Sequence, residues 1–253
     1  MKWLSETYAD GALVLRIGRD GDTVLAEWPE LGVLRAPRNG VAHTFEPAEG
    51  ADVLSLQKLE RGVVVALLRH LRGELSLHAS AVVQGDKAVA FIGESGSGKS
   101  TFAAYLGRKG WLTLADDVAH IEQTDEGFFV LPSERTHFLL PDACEALGVR
   151  ADDGRAKTSV DASQVGERTK LAALVSFADD DCVRVERVKG FATVGLLLPC
   201  LARFVFDEPA VLKADLEHLS HMLARVPLYR IGRPRGFEHL AEVEQRMLEV
   251  LGA

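Results

Sequence analysis

The run Gly93-Glu94-Ser95-Gly96-Ser97-Gly98-Lys99-Ser100 fills every fixed position of G-x-x-x-x-G-K-[ST], a pattern whose chemistry is the holding of phosphate. Its three glycines let the main chain turn tightly, so that successive N–H groups point inward at an anion. A helix starting at its end adds partial positive charge there. Lys99 is placed to reach the β- and γ-phosphates of a nucleoside triphosphate, and the Ser100 hydroxyl to ligate Mg²⁺. With Thr101 just beyond, the whole run is the expected nucleotide-binding set.

A second cluster lies downstream, where Asp116-Asp117 closes the short apolar run Trp111-Leu112-Thr113-Leu114-Ala115. Paired carboxylates beside a phosphate loop suit a divalent cation and proton abstraction. One acid holds the metal, directly or through water, while the other takes the proton of an acceptor hydroxyl. Repulsion between the two raises at least one pKa, which suits a base. Without the loop, a solvated Asp-Asp turn would be the better reading. His78 stands alone in Leu75-Ser76-Leu77-His78-Ala79-Ser80-Ala81-Val82-Val83. An isolated imidazole there is more often a hydrogen-bonded core residue than a catalytic one.

The elements that must position these groups follow from the pattern around them. Lys87–Ile92 predicts a buried strand and Thr101–Arg108 a helix, the strand–loop–helix setting a phosphate loop needs. Leu75–Val83 predicts a strand, and Gln84-Gly85-Asp86-Lys87 a turn, giving a hairpin that leads into the loop. Asp52 to Leu71 predicts a helix with Leu56, Leu59, Val63, Leu67 and His70 at helical spacing, against the contrary signal of Gly62. Ala12–Ile17, the turn Arg19–Asp22, Thr23–Trp28 and Leu31–Arg35 predict a small β-rich region over residues 1–50, with residues 51–253 forming the catalytic domain. Extra strands on the core sheet are an equal alternative for residues 1–50. Beyond Asp117 the pattern predicts strands and a short helix near Pro141 to Leu147. The polar stretch 150–168 is a candidate lid in which Arg155 and Lys157 close over the phosphates; a solvated loop is the competing reading. Leu171–Phe177 and Val183–Lys189 read as strands with Asp179-Asp180-Asp181 at a hairpin tip.

Leu77-His78-Ala79-Ser80-Ala81-Val82, then Gly93 to Thr101, then Leu114-Ala115-Asp116-Asp117-Val118 resembles the catalytic core of HPr kinase/phosphorylase in order and spacing. The resemblance implies an α/β fold of the phosphoenolpyruvate carboxykinase type, with a P-loop, a mixed sheet and flanking helices. It implies that Asp116 is the base toward a protein serine, that His78 lies near the transferred phosphate, and that Asp117 partners Mg²⁺. It makes Lys157 the preferred lid residue and self-association an expectation. The glycine-rich signature that this family carries after the double aspartate, tied to its phosphorolysis, has no match here. Instead Pro132-Ser133, Leu140-Pro141-Asp142-Ala143, Glu145-Ala146-Leu147-Gly148 and the late segments Val226–Ile231 and Arg233-Pro234-Arg235-Gly236-Phe237 are similar to HPr-kinase-like proteins associated with lasso-peptide biosynthesis. Those phosphorylate the C-terminal serine of a ribosomal precursor peptide.

The 253-residue chain is long enough for one large domain, or one domain and a small companion, and 47% hydrophobic residues supply a core. A net charge of −8 gives a nucleic-acid partner no general support. Cys144, Cys182 and Cys200 form neither a disulfide framework nor a metal spacing, and read as reduced thiols. Met1–Glu6 lacks the apolar run of a signal peptide, and no stretch approaches a membrane span, so a cytoplasmic, membrane-free protein is expected. The expected activity is ATP- and Mg²⁺-dependent transfer of phosphate to a serine hydroxyl on a peptide or protein. HPr kinase proper, a small-molecule kinase and a nucleotide switch are the alternatives. An NKxD base-reading motif, which a Ras-like switch normally carries, is absent.

Overall fold

Lys87–Ile92 is a strand buried at every position after its first, because its apolar residues have strands on both sides. The structure is a computed structural model, and it describes residues 1–133, 135–152, 157–162, 164–204 and 209–252. The described chain forms two compact units, Met1–Ser76 with Ala202–His218, and Leu77–Leu201 with Leu219–Ala253.

The first unit carries a five-stranded antiparallel meander: β1 (Lys2–Ala9), β2 (Ala12–Asp20), β3 (Thr23–Trp28), β4 (Gly32–Pro37) and β5 (Thr44–Pro47). Strict alternation in β3 and β4 puts Val24, Ala26, Trp28, Leu34 and Ala36 on one buried face. A helical segment packs there, built from α1 (Val53–Leu59), a π-helical turn (Glu60–Val64) and α2 (Val65–Leu71). Asp52 starts it by accepting the Ser55 N–H at 2.8 Å. Gly62 does not end the helix; it lies in the π turn. That turn moves the buried stripe by one residue, so that Val64 follows Leu59 in the core and Val63 is only partly covered.

The second unit is built on an eight-stranded mixed sheet with flanking helices, an α/β arrangement. In chain order its parts are β6 (Leu75–Gln84), β7 (Lys87–Ile92), α3 (Lys99–Arg108), β8 (Leu112–Ala115), β9 (Val118–Thr124), β10 (Gly127–Leu131), β11 (Thr136–Leu139), α4 (Pro141–Ala146), β12 (Thr158–Asp161), β13 (Thr169–Asp179), β14 (Arg184–Val188), α5 (Phe191–Leu197), the end of α6 (Pro209–Arg225, which belongs to the first unit as far as His218), β15 (Leu228–Arg233) and α7 (Leu240–Leu251). The strand order is β10-β9-β6-β7-β13-β15-β14, with β8 on β6. Strands β6 and β7 form the expected hairpin, Gln84 facing Lys87 across a turn with Gly85 at φ 60°. Strand β13 runs parallel to β7 on one side and to β15 on the other. Phe91 of β7 meets Phe102 of α3 edge-on at 5.2 Å and stacks on Phe177 of β13 at 5.7 Å, which fixes the helix against the sheet at the mouth of the loop.

Two expectations change. The Asp179–Asp181 run is not a hairpin tip, because β15 inserts between β13 and β14 and pairs with both. Asp179 instead binds Arg235 at 2.6 Å, and Asp180 grips Arg184 through both carboxylate oxygens. The polar stretch 150–168 is also not loop throughout, since β12 lies inside it and pairs antiparallel with β11. Arg155 lies outside the described residues.

Candidate active site

The segment between β7 and α3 makes a loop whose glycines are conformationally required. Gly93, Gly96 and Gly98 have φ of 137°, 82° and 95°, values that side-chain-bearing residues rarely adopt. Gly98 is also the residue at which α3 begins. Lys99, 6% exposed, turns back across the loop and donates to the Gly93 and Glu94 carbonyls, each at 2.8 Å. Burial lowers its pKa, with Asp117 and Asp116 acting in the opposite sense and the Lys157 charge adding to the lowering. Lys157 is itself exposed, yet close enough for that charge to be felt.

The two aspartates occupy different surroundings. Asp116 is 1% exposed. Its Oδ1 accepts the Ser80 hydroxyl at 2.5 Å, and its Oδ2 accepts the Phe138 N–H at 3.2 Å. The His137 Nδ1 stands 3.7 Å from Oδ1, beyond hydrogen-bond range, while Nε2 meets the Thr113 hydroxyl at 3.1 Å. Burial alone would raise the Asp116 carboxyl; the His137 imidazole and the hydroxyls of Ser80 and Ser100 outweigh it and hold the group below its ordinary value. The Ser100 hydroxyl, at the first turn of α3, is thus near enough to Asp116 to help stabilise its charge.

Asp117 has φ 78°, a left-handed conformation that aspartate tolerates better than most residues. Its carbonyl accepts the Ala79 N–H at 3.2 Å and the His78 Nδ1–H at 2.9 Å, while its carboxylate lies 3.3 Å from the same ring nitrogen and is 43% exposed. Because a carbonyl only accepts, Nδ1 carries the proton and Nε2 the lone pair when the ring is neutral. Burial, then the Lys99 charge, lowers the His78 pKa and favours that neutral ring.

Lys99, Ser100, Asp116, Asp117 and His78 are thus joined by direct contacts or mutual charge effects at one end of the β6–β7 hairpin. The Ser100 hydroxyl is a hard oxygen donor at the loop, and the buried Asp116 carboxylate adds negative charge close by. This donor set fits Mg²⁺, which takes one or two protein oxygens and completes its shell with water and phosphate oxygens. Among the described residues no cluster of three or more His, Cys, Asp or Glu side chains suits a cation held by protein alone.

No family model matches the chain, and no curated protein matches it. Among solved structures, the Hpr(Ser) kinase/phosphatase from Coxiella burnetii is similar to it with a TM-score of 0.38 and 12% identity, over 70% of this chain and 99% of that one. No helix among the described residues is long and apolar enough to cross a membrane.

Three contributors escape a reading of the sequence for chemistry. Ser80 and His137 sit in apolar strands and look like core residues, and only the fold turns them onto Asp116. Arg233, the last residue of β15, reaches the loop and donates to the Ser97 carbonyl at 3.3 Å across a sequence distance no local pattern spans. The only sequence signal at that end is the basic, glycine-containing run Arg233-Pro234-Arg235-Gly236-Phe237.

Proposed function

We propose that the chain is a kinase that transfers the γ-phosphoryl group of ATP to a serine hydroxyl, with the C-terminal serine of a ribosomal precursor peptide as acceptor, in the cytoplasm. The observation that carries the kinase reading is the joining of Lys99, Ser100, both aspartates and His78 beside three positive-φ glycines. The peptide acceptor is supported by the resemblance of Pro132-Ser133 and Leu140–Ala143 to lasso-peptide-associated kinases.

In this reading the amides from Ser95 to Ser100 hold the phosphate chain, and Lys99 exchanges its bonds to the loop carbonyls for the β- and γ-phosphates. Mg²⁺, when bound, would neutralise phosphate charge; the Ser100 hydroxyl is the group that would hold it, with the buried Asp116 carboxylate supporting the site from behind. The geometry favours a division of labour opposite to that implied by the family resemblance. Asp116 has its two oxygens committed to Ser80 and Phe138 and presents no surface to an acceptor. Asp117 is open to solvent and is oriented by His78. The acceptor hydroxyl therefore gives its proton to the Asp117 carboxylate as its oxygen bonds to the γ-phosphorus and the bond to the β-phosphate oxygen breaks.

The assay offers ATP and Mg²⁺ with a candidate precursor peptide, the same peptide lacking its last residue, or the phosphocarrier HPr, and reads phosphate by mass. The proposal expects label on the full peptide alone. Label on HPr alone, or on both peptides equally, removes the C-terminal-serine reading. Lys99→Ala should reduce turnover by about 10²–10³-fold on folded protein, the scale of losing one preorganised donor; near-normal turnover would exclude this loop as the site of transfer.

A further inference from the structure

The side chains assigned to chemistry all lie on one flank of the loop, and none of them reaches the other. A cavity of about 520 Å³ opens there, bounded by Gly96, Ser97 and Thr101 of the loop and helix, Phe177 near the end of β13, Arg233 at the end of β15 and Phe237 beyond it. Lys99, Ser100, Asp116, Asp117 and His78 do not line it. If the γ-phosphate lies among those five groups, the opposite end of the triphosphate is directed away from them, toward this flank. The volume falls within the roughly 300–1,000 Å³ of small-ligand pockets.

Arg233 gives the cavity its character. Its guanidinium stands 5.4 Å from the Phe177 ring centroid. Among the described residues its hydrogen bonds go only to main-chain carbonyls, Ser97 at 3.3 Å and Pro234 at 3.4 Å, and it forms no ion pair. The neighbouring Asp179 is taken by Arg235 at 2.6 Å, and Asp142 accepts the N–H of Ala143 in its own helix at 2.8 Å. Burial lowers the Arg233 pKa, as expected for a partly enclosed cation with no paired carboxylate. A Cβ on Gly98 would come within 2.5 Å of the guanidinium, so the arginine lies directly on the loop. A planar guanidinium with spare donors, beside the partly buried ring of Phe237, is suited to the face and edge of a heterocyclic base.

We propose that this cavity binds the nucleoside of the nucleoside triphosphate, with Arg233 and Phe237 as its recognition residues. The proposal rests on the reading that the loop holds a triphosphate. It assigns to residues 233–237 a role separate from phosphate transfer, that of making the site selective for nucleotides over inorganic polyphosphate.

The test is equilibrium binding of Mg·ATP and of Mg·tripolyphosphate to the full chain and to its Arg233→Gln and Phe237→Ala variants, with thermal melting to establish that each variant is folded. The wild type should bind ATP at least about tenfold more tightly than tripolyphosphate, the scale of one base stacked on a side chain. Each variant should weaken ATP about tenfold and tripolyphosphate no more than about threefold, closing the gap. If the wild type binds both ligands with equal affinity, or if folded variants weaken both alike, the nucleoside assignment is overturned while the phosphate loop stands. If the wild type binds neither, the triphosphate reading fails and takes this one with it. The wild-type comparison decides the matter even if both variants unfold.

Discussion

Asp116 and Asp117 are neighbours in sequence, yet the fold gives them opposite surroundings, and this separates their predicted phenotypes. Asp116→Asn leaves Ser80, Ser100 and the Phe138 N–H facing a neutral amide in a buried site, so it should cost about 1–3 kcal/mol of stability and raise the Mg²⁺ requirement. Its carboxyl has a folded-state pKa below the ordinary value of 3.8. The stability this supplies is present above that value and is lost as the pH falls through the lower, folded-state one. The gap between wild type and Asp116→Asn should therefore persist at neutral pH and narrow only in strong acid, which denaturant melts along a pH series would measure. Asp117→Asn should leave stability nearly unchanged, since its carboxylate is 43% exposed, and should lower kcat by about 10²–10⁴-fold with nucleotide affinity intact. The reverse pattern would return the base to Asp116. Gly93–Ser100 and Asp116-Asp117 stand out in the sequence by type and spacing, and the fold brings them to one end of the β6–β7 hairpin with His78, which alone reads as a core residue. The difference between the pair, on which the proposed roles rest, was not legible, because Ser80 and His137 converge on only one of the two through the fold.

At the scale of elements, periodicity located the strand before the loop, the helix after it and the β6–β7 hairpin, each with bounds close to those expected. It did not show which strands pair across long distances. Strands β13 and β14 are consecutive and joined by an acidic run, the signature of a hairpin, but β15 comes from about forty residues later and separates them. It also missed the π turn at Glu60–Val64, where one extra residue per turn alters which side chains face the sheet without altering composition. The placement of α3 depends on α7 as well as on the sheet, and one contact makes this measurable. The Tyr105 hydroxyl donates to Glu244 at 2.9 Å, and burial first, then that bond, raises its pKa to about 12. Tyr105→Phe should cost about 0.5–1.5 kcal/mol. Because the folded-state pKa is the higher one, the contribution is complete below the ordinary value of 10.0 and is lost as the pH rises toward about 12. The advantage of wild type over Tyr105→Phe should be flat up to about pH 9 and shrink above pH 10; a gap that grows with alkali would mean the hydroxyl does not donate.

At the scale of the whole molecule, the strand-rich start is bound into a larger unit than its composition suggests. Leu59, Val64, Leu67 and Leu68 of the helical segment share one core with Ile17, Val24, Trp28 and Leu34 of the meander, and Phe204 packs against it. The returning stretch carries an internal ion pair, Arg203 to Asp215 at 2.9 Å, and is tied in by the edge-on contact of Phe204 with His70. A chain beginning at residue 51 would keep the helix and the returning stretch but lose the sheet that covers them. Burying a large apolar side chain is worth about 1.5–3 kcal/mol, so exposing those four forfeits about 6–12 kcal/mol. That is comparable with the whole stability of a typical domain, about 5–15 kcal/mol. Deleting residues 1–50 should therefore give a protein that is recovered largely as aggregate, or that melts without a cooperative transition, even though every residue assigned to phosphate transfer is retained. Soluble yield, light scattering and a thermal melt against the full chain would check this. A soluble 51–253 fragment melting within a few degrees of the parent would show that residues 1–50 form a separable region, and that the apolar face of the helix finds its cover elsewhere.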